Sequence, residues 1–320
     1  MTKQTNTIAN EVKQSNTIAN KVKQSQKSNN NFQISSRISE MSCSDNEIAS
    51  SLHSSQLISI RNLKKSFGKN LVLKGINLTL NKGSIVAIMG PNGSGKTTLL
   101  KSILGLVKFD SGEIYVKDMQ VNGDAEYRRH IGYMPQNSCF PENLKVKEVI
   151  SMLKDVRGTS PPLPAPVQRQ AGLTPSPKER GSLPEGEVKN GYDEELINKL
   201  NINDVYNKQI GTLSGGTKQR VSSAVAFLFN QEIIILDEPT AGLDPVSTEI
   251  VKQKIVDEKN KGKLIIITSH VVSEVEELAD RVIFLLEGNV HVDNSVSELI
   301  AGTNETSLNK AIAQIIKSPL

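Results

Sequence analysis

Ser84-Ile-Val-Ala-Ile-Met-Gly90-Pro91-Asn92-Gly93-Ser94-Gly95-Lys96-Thr97-Thr98 is the stretch whose reading decides the fold. Ser84 to Met89 reads as a buried strand, and Thr98 to Val107 carries the apolar density of a helix packed on a sheet. The loop between them has the spacing Gly-x-x-x-x-Gly-Lys-Thr, with three glycines in eight residues. Such a loop wraps a polyphosphate in backbone N–H groups with no side chains in the way, and the phosphate meets the positive end of the helix dipole. In that reading Lys96 reaches the β- and γ-phosphates and the Thr97 hydroxyl holds Mg²⁺. The alternative is a glycine-rich turn that merely joins the two elements.

Two further stretches are suited to the same chemistry. Gln231 to Asp237 ends the apolar run Ile-Ile-Ile-Leu in an acid, followed at once by Glu238-Pro239. Asp237, at a strand end near Thr97, is expected to orient Mg²⁺ or its waters, with Glu238 over the γ-phosphate as base for an attacking water. Acids paired in this way are otherwise structural. Leu264 to Thr268 is a second buried run ending at Ser269-His270, where an imidazole either bonds the γ-phosphate or is a satisfied surface histidine. Leu213-Ser214-Gly215-Gly216-Thr217-Lys218-Gln219-Arg220 then leads into an apolar helix. Ser214 is a good N-cap, and the two glycines bare the first-turn N–H groups toward an anion. A single nucleotide is not held by two such helix ends of one subunit when each is fixed to its own subdomain, which invites a dimer.

The stretch before the phosphate loop reads as an antiparallel sheet. Leu57-Ile58-Ser59-Ile60, Leu71-Val72-Leu73 and Ile76 to Leu80 alternate, with turn residues at Gly68-Lys69-Asn70 and Asn81-Lys82-Gly83. Phe67, on the first turn, is the one aromatic within reach of a purine over the loop, where stacking contributes about 1–3 kcal/mol; otherwise it is an ordinary core residue. Gln136 follows a short strand, Ile131 to Met134, and Pro135, and by itself is a solvated loop residue.

Composition narrows the classes. With 320 residues there is room for one large or two small domains. The 38 Lys and Arg against 34 Asp and Glu leave a dispersed +4, which does not point to nucleic acid. No apolar run reaches about 18 residues and no signal-peptide core opens the chain, so a cytoplasmic protein is expected. Cys43 and Cys139 are expected to be free thiols. Residues 3–12 are nearly copied at 13–22, and through about residue 55 the chain is too polar to offset its conformational entropy. A disordered tail is expected there, a docking tail being the sharper alternative, and Met41 is a second candidate start. Residues 157–191, with Pro161, Pro162, Pro164, Pro166, Pro175, Pro177 and Pro184, read as a loop or disordered insertion rather than a partner ligand. Leu308, Ala311, Ile312, Ile315 and Ile316 form a helical stripe, core-covering rather than a partner site, within a C-terminal helix at 301–320.

Taken in order, Gly90 to Thr97, Gln136, Leu213 to Gln219, Asp237-Glu238, Asp244 and His270 resemble the nucleotide-binding subunit of ATP-binding cassette (ABC) transporters, over about residues 57–300. The Leu-Ser-Gly-Gly element is the most discriminating part. The resemblance implies an α/β fold, a P-loop NTPase of the ABC type, with a mixed sheet core, an antiparallel β subdomain and a helical subdomain at about 137–230, the cassette spanning 56–300. ATP and Mg²⁺ are the implied cofactors. Gly90 to Thr98 would bind phosphate, Phe67 would stack on adenine (Tyr is commoner there), and Gln136 would sense γ-phosphate and Mg²⁺ and couple to the membrane partner. Ser214, Gly215 and Gly216 would meet the ATP of an opposite subunit, Asp244 would cross the dimer interface, and His270 would be the switch histidine. The implied partners are a second cassette and a separately encoded permease, with the chain peripheral at the cytoplasmic face of the cell membrane. The run from Ser269 to Val282 and Leu285-Leu286-Glu287-Gly288 look most like export subunits of the multidrug, ABC-2 or copper-accessory type. The insertion at 157–191 and the repeated tail depart from the family pattern. An ABC ATPase acting on ribosomes or DNA stays open as the alternative, although those types join two cassettes or insert a coiled coil; a P-loop kinase lacks the Ser214-Gly215-Gly216 helix end.

Overall fold

Alternating apolar residues build a long hairpin from β1 (Gln56–Phe67) and β2 (Asn70–Asn81), which turns at Gly68 with φ of 59°. Ile58, Ile60 and Leu63 of β1 and Leu73, Ile76, Leu78 and Leu80 of β2 are buried. The other edge of β1 takes β4 (Ser111–Val116) and then β5 (Met119–Gln120), closing an antiparallel sheet of order β2-β1-β4-β5. The computed structural model describes residues 55–138, 140–158, 192–303 and 305–317, and Gln56–Leu320 forms one unit. The N-terminal repeat, Cys43, Cys139 and almost all of the 157–191 stretch lie outside the described residues.

A second sheet has the order β10-β9-β3-β8-β7-β6, from β3 (Ser84–Met89), β6 (Ile131–Met134), β7 (Ile233–Asp237), β8 (Leu264–Thr268), β9 (Arg281–Leu286) and β10 (Asn289–Ser295). All neighbours are parallel except β9 and β10. β7 and β8 are buried on both faces, which is why they read as unbroken apolar runs rather than alternating ones. The topology that matters is the insertion of β8 between β3 and β7. In register, Ile88 lies opposite Thr268, and Thr268 opposite Asp237. The end of the strand that feeds the phosphate loop and the end that carries the acids therefore flank one threonine, in the crevice at the carboxyl ends of parallel strands.

Side chains of β3 alternate between two apolar layers. Val86 and Ile88 join the hairpin and Leu99, Leu100 and Ile103 of α1 (Lys96–Ile103). Ile85, Ala87 and Met89 join the helical side. That side contains α2 (Val146–Gly158), α3 (Glu195–Lys199), α4 (Gly215–Phe227), α5 (Pro245–Asn260) and α6 (Val272–Leu278).

At the last turn of α2, the Arg157 guanidinium donates to the carbonyls of Arg129 and Ile131, both at 3.2 Å, tying the helical part to the first residue of β6. Arg157 also lies 5.0 Å from the Phe229 ring, Tyr192 meets Phe229 edge-on at 5.8 Å, and Lys154 stands 4.8 Å over Tyr192. Residues flanking the 159–191 stretch on both sides thus share one packed cluster.

Within the 301–320 stretch the described residues form a helix over Leu308–Lys317, preceded by the end of another. The two are α7 (Val296–Thr303) and α8 (Leu308–Lys317). The first starts at a reciprocal capping box: Ser295 Oγ accepts from Glu298 N–H and Glu298 Oε2 accepts from Ser295 N–H, both at 3.1 Å. The second begins where Leu308 N–H donates to Glu276 Oε2 on α6 at 3.1 Å, and its Leu308, Ala311 and Ile312 are buried.

Candidate nucleotide site

The loop after β3 holds its path because three glycines take left-handed backbone angles: Gly90 at φ 141°, Gly93 at 81° and Gly95 at 104°. A Cβ on Gly90 would lie 2.1 Å from the Leu285 carbonyl, and one on Gly95 2.8 Å from Leu73 Cδ2, so the loop is wedged between β9 and β2. α1 begins with no side-chain cap and no acid in its first turn, which leaves its positive end for an external anion. Lys96 Nζ donates to the carbonyls of Gly90 at 2.7 Å and Pro91 at 3.1 Å. Burial lowers its pKa, against the charges of Glu238 and Asp237, which raise it. Ser94 is 2% exposed and its hydroxyl has no hydrogen-bond partner. A buried orphan hydroxyl under a glycine cradle fits a phosphate oxygen as its missing partner.

Asp237 is 4% exposed, and its Oδ1 accepts from Thr268 Oγ1 at 2.6 Å. Burial pushes its pKa up; the Thr268 bond pulls the other way, and the Glu238 charge adds to the rise. Glu238 is left-handed at φ 55°, its N–H donating to Thr268 O at 3.2 Å and Oγ1 at 3.0 Å. His270 Nε2 lies 2.6 Å from Glu238 Oε1, and Gln136 Nε2 donates to Oε2 at 3.0 Å. Loops after β6 and β8 thus bring Gln136 and His270 onto the carboxylate of Glu238 after β7, an arrangement able to align a water for attack.

A cleft of about 330 Å³ joins these groups, lined by Phe67, Asn70, Val72, Asn92, Gly93, Gly95 to Thr98, Gln136, Asp237, Glu238 and His270. Phe67 is 53% exposed, with Lys65 Nζ 5.0 Å from its ring centre, so it presents a face at the cleft rather than filling the core. Thr97 and Asp237 line the same cleft and are the pair suited to Mg²⁺. Among the described residues no group of three or more His, Cys, Asp or Glu would hold an ion with protein ligands alone.

Ser214, Gly215, Gly216 and Asp244 do not line this cleft. Ser214 Oγ caps α4, accepting from Thr217 N–H at 3.3 Å. Gly215 faces open space, whereas a Cβ on Gly216 would lie 2.7 Å from the Gly242 carbonyl. The two glycines therefore differ in kind: one bares the helix end, and the other lets the helix touch the loop that follows Glu238. Asp244 caps α5, accepting from Ser247 Oγ at 2.6 Å and N–H at 2.9 Å, bonds that hold its exposed carboxyl below the usual range. Sequence reasoning passed over Asn70 and Val72 in the lining, and Thr268, which bonds both acids. Glu274, which accepts from Thr240 at 2.7 Å and Ser269 at 3.3 Å, was also passed over. Thr268 was findable as the polar end of an apolar strand; the others carry no local signal.

A strand, a glycine loop closing on Lys96-Thr97, and an acid one strand beyond the neighbour define a P-loop nucleoside triphosphatase. Residues 73–241 match the ABC transporter family, and the chain belongs to it as an ATP-binding, ATP-hydrolysing subunit. It is 31% identical over 234 residues to the lantibiotic transport ATP-binding protein of Streptococcus pyogenes, covering 73% of this chain and 89% of that one. It is 30% identical over 256 residues to the lipopolysaccharide export system ATP-binding protein of Haemophilus influenzae, covering 79% and 93%. Among solved structures, an ATP-binding subunit of an ABC transporter superposes with a TM-score of 0.68 at 23% identity, over 82% of this chain and all of that one. A dimeric cassette in a post-hydrolysis state, bound to ADP and Pi, superposes with a TM-score of 0.58 at 25% identity, over 75% and 98%.

Proposed function

We propose that two copies of this chain close on two ATP molecules and that the cycle of closing and reopening drives a separately encoded membrane permease. The observation that carries this is the division of the site: the cleft holds the phosphate loop and the acids, while the Ser214 helix end and Asp244 lie outside it. A second copy would supply what each cleft lacks. The related cassette solved as a dimer with ADP and Pi supports the same reading.

The roles follow from the chemistry of each group. Phe67 stacks on adenine at the cleft mouth. Lys96, now held by the Gly90 and Pro91 carbonyls, exchanges these for β- and γ-phosphate oxygens, and Ser94 and the loop N–H groups complete the cradle. Thr97 and Asp237 would hold Mg²⁺, with Gln136 beside them, and the ion would supply positive charge against the transferred phosphoryl group. Glu238 polarises the attacking water, and His270 stands on its other side toward the γ-phosphate. Ser214, Gly215 and Gly216 of the opposite copy bind that same phosphate, so ATP favours the closed pair and its loss reopens it.

Among the described residues no helix is long and apolar enough to cross a membrane, and a permease would hold this chain at the cytoplasmic face. The export likeness of Ser269 to Val282 is in keeping with the relative named for lipopolysaccharide export. Purifying the tagged chain from detergent-solubilised cells tests the assignment. A stoichiometric polytopic membrane protein is the expected companion; ribosomes or DNA in its place would overturn it in favour of a non-transport ATPase.

A further inference from the structure

Glu238 has every backbone polar group engaged. Its N–H goes to Thr268 on β8, and its carbonyl accepts from Gln219 Nε2 at 3.2 Å. Within the turn after the acid, Ala241 N–H donates to that same carbonyl at 3.2 Å. Gln219 adds a second donor to it from another element, outside the turn. It is 6% exposed and sits on α4, the helix that begins at Ser214. α4 is itself tied to β6: one turn on from Gln219, Ser223 Oγ bonds Met134 Sδ at 3.4 Å, two residues before Gln136. At its other end Gly216 packs against the Gly242 carbonyl. α4 therefore grips the segment 238–242 at two points, Glu238 and Gly242.

We propose that Gln219 is a positioning residue for ATP hydrolysis: it fixes the left-handed backbone of Glu238 from α4 and so aims the carboxylate between Gln136 and His270. A left-handed glutamate persists only where its surroundings hold it. The amide of Gln219 does so from a helix whose N-terminal end, in the two-copy reading, contacts the partner's nucleotide. A shift of α4 on that nucleotide is then felt at this copy's own acid. The aiming of Glu238 does not depend on the two-copy reading; the link to the partner's nucleotide does.

The test uses Gln219→Met, which keeps length and volume but removes the donor, with Gln219→Glu as the second variant should the first fail to fold. Purified full-length protein is assayed for kcat and KM for ATP, and dimer formation with Mg-ATP is measured with and without Gln219→Met on a Glu238→Gln background. The expected result is a fall in kcat of about tenfold or more, with KM within about twofold and dimer formation kept. A kcat within about twofold of native, or a joint loss of kcat, ATP affinity and dimer, would overturn the positioning role. Failure of Glu238→Gln with native Gln219 to dimerise sinks the two-copy reading instead, and is read separately.

Discussion

The imidazole of His270 and the carboxylate of Glu238 meet at 2.6 Å, Nε2 against Oε1. The other oxygen accepts from Gln136, so the acid is held from both sides by residues beyond β6 and β8. If that carboxylate is the base, Glu238→Gln lowers ATP turnover by about 10²–10⁴-fold. His270→Ala, which removes one of its two holders, lowers it by about 10–10²-fold with little change in ATP affinity. Steady-state phosphate release and a nucleotide-binding titration check both; near-native turnover in the glutamine variant removes Glu238 from its role.

The three loop glycines should not be equally replaceable by alanine. All have positive φ, and a non-glycine residue there costs about 1–3 kcal/mol before any clash. Gly90→Ala adds a Cβ at 2.1 Å from the Leu285 carbonyl, Gly95→Ala one at 2.8 Å from the end of Leu73, and Gly93→Ala meets nothing within 4 Å. Thermal unfolding should rank the losses Gly90, then Gly95, then Gly93, and a reversed order would contradict the placement of the loop.

Ser94→Ala separates stability from binding. Its hydroxyl is buried without a partner, so deletion should leave the nucleotide-free protein as stable as before or up to about 1–3 kcal/mol more stable. ATP affinity should fall, because the cradle loses an O–H donor. Melting curves with and without Mg-ATP distinguish this from a serine that only supports the fold, whose loss would lower both curves alike.

Acid stability should track Glu258. This fully buried carboxylate is bonded to Lys261 at 2.7 Å, to Lys263, and to Lys254 at 3.0 Å, while Lys254 also bonds Asp193 and Glu195, each at 2.6 Å. Burial alone would raise its pKa; the bonds from Lys261 and Lys263 and the charges of Lys263 and Lys254 outweigh it and bring the pKa down to about 2. A folded-state pKa below the unfolded value means stability that is fully present above the ordinary value of 4.5 and is lost as pH falls toward about 2. Glu258→Gln should cost about 3–5 kcal/mol at neutral pH and flatten the acid limb. Urea titrations across that window check it; an unchanged acid limb would show that the cluster does not stabilise the fold through this charge.

Replacing residues 159–191 by a short Gly-Ser linker should leave folding and ATP hydrolysis intact. The flanks are joined without it, through Lys154 Nζ to Glu194 Oε1 at 2.5 Å and the Tyr192 hydroxyl to the Lys154 carbonyl at 3.4 Å. Circular dichroism and turnover of the deletion variant check this, and loss of the fold would contradict it.

What was legible in the sequence was what chemistry fixes locally. Gly90 to Thr97 declares its own strand, loop and helix, and Ile233 to Asp237 its own buried strand, because phosphate binding and burial each impose a spacing within a few residues. Contacts between distant segments left no such mark. The role of Gly216 depends on Gly242, that of Gln219 on Glu238, and that of Arg157 on the carbonyls of Arg129 and Ile131. A glycine chosen for closeness to another backbone looks, in sequence, like one chosen to bare a helix end. Phe67 was ambiguous for the same reason, since only the fold distinguishes a ring in the core from one at a cleft.

The most direct measurement is the mass in solution of the Glu238→Gln variant by light scattering, alone and beside its permease, with saturating Mg-ATP and then with Mg-ADP. A pair of chains with ATP that parts into single chains with ADP is the predicted result. A single chain under every one of these conditions would contradict the claim that two copies share each nucleotide.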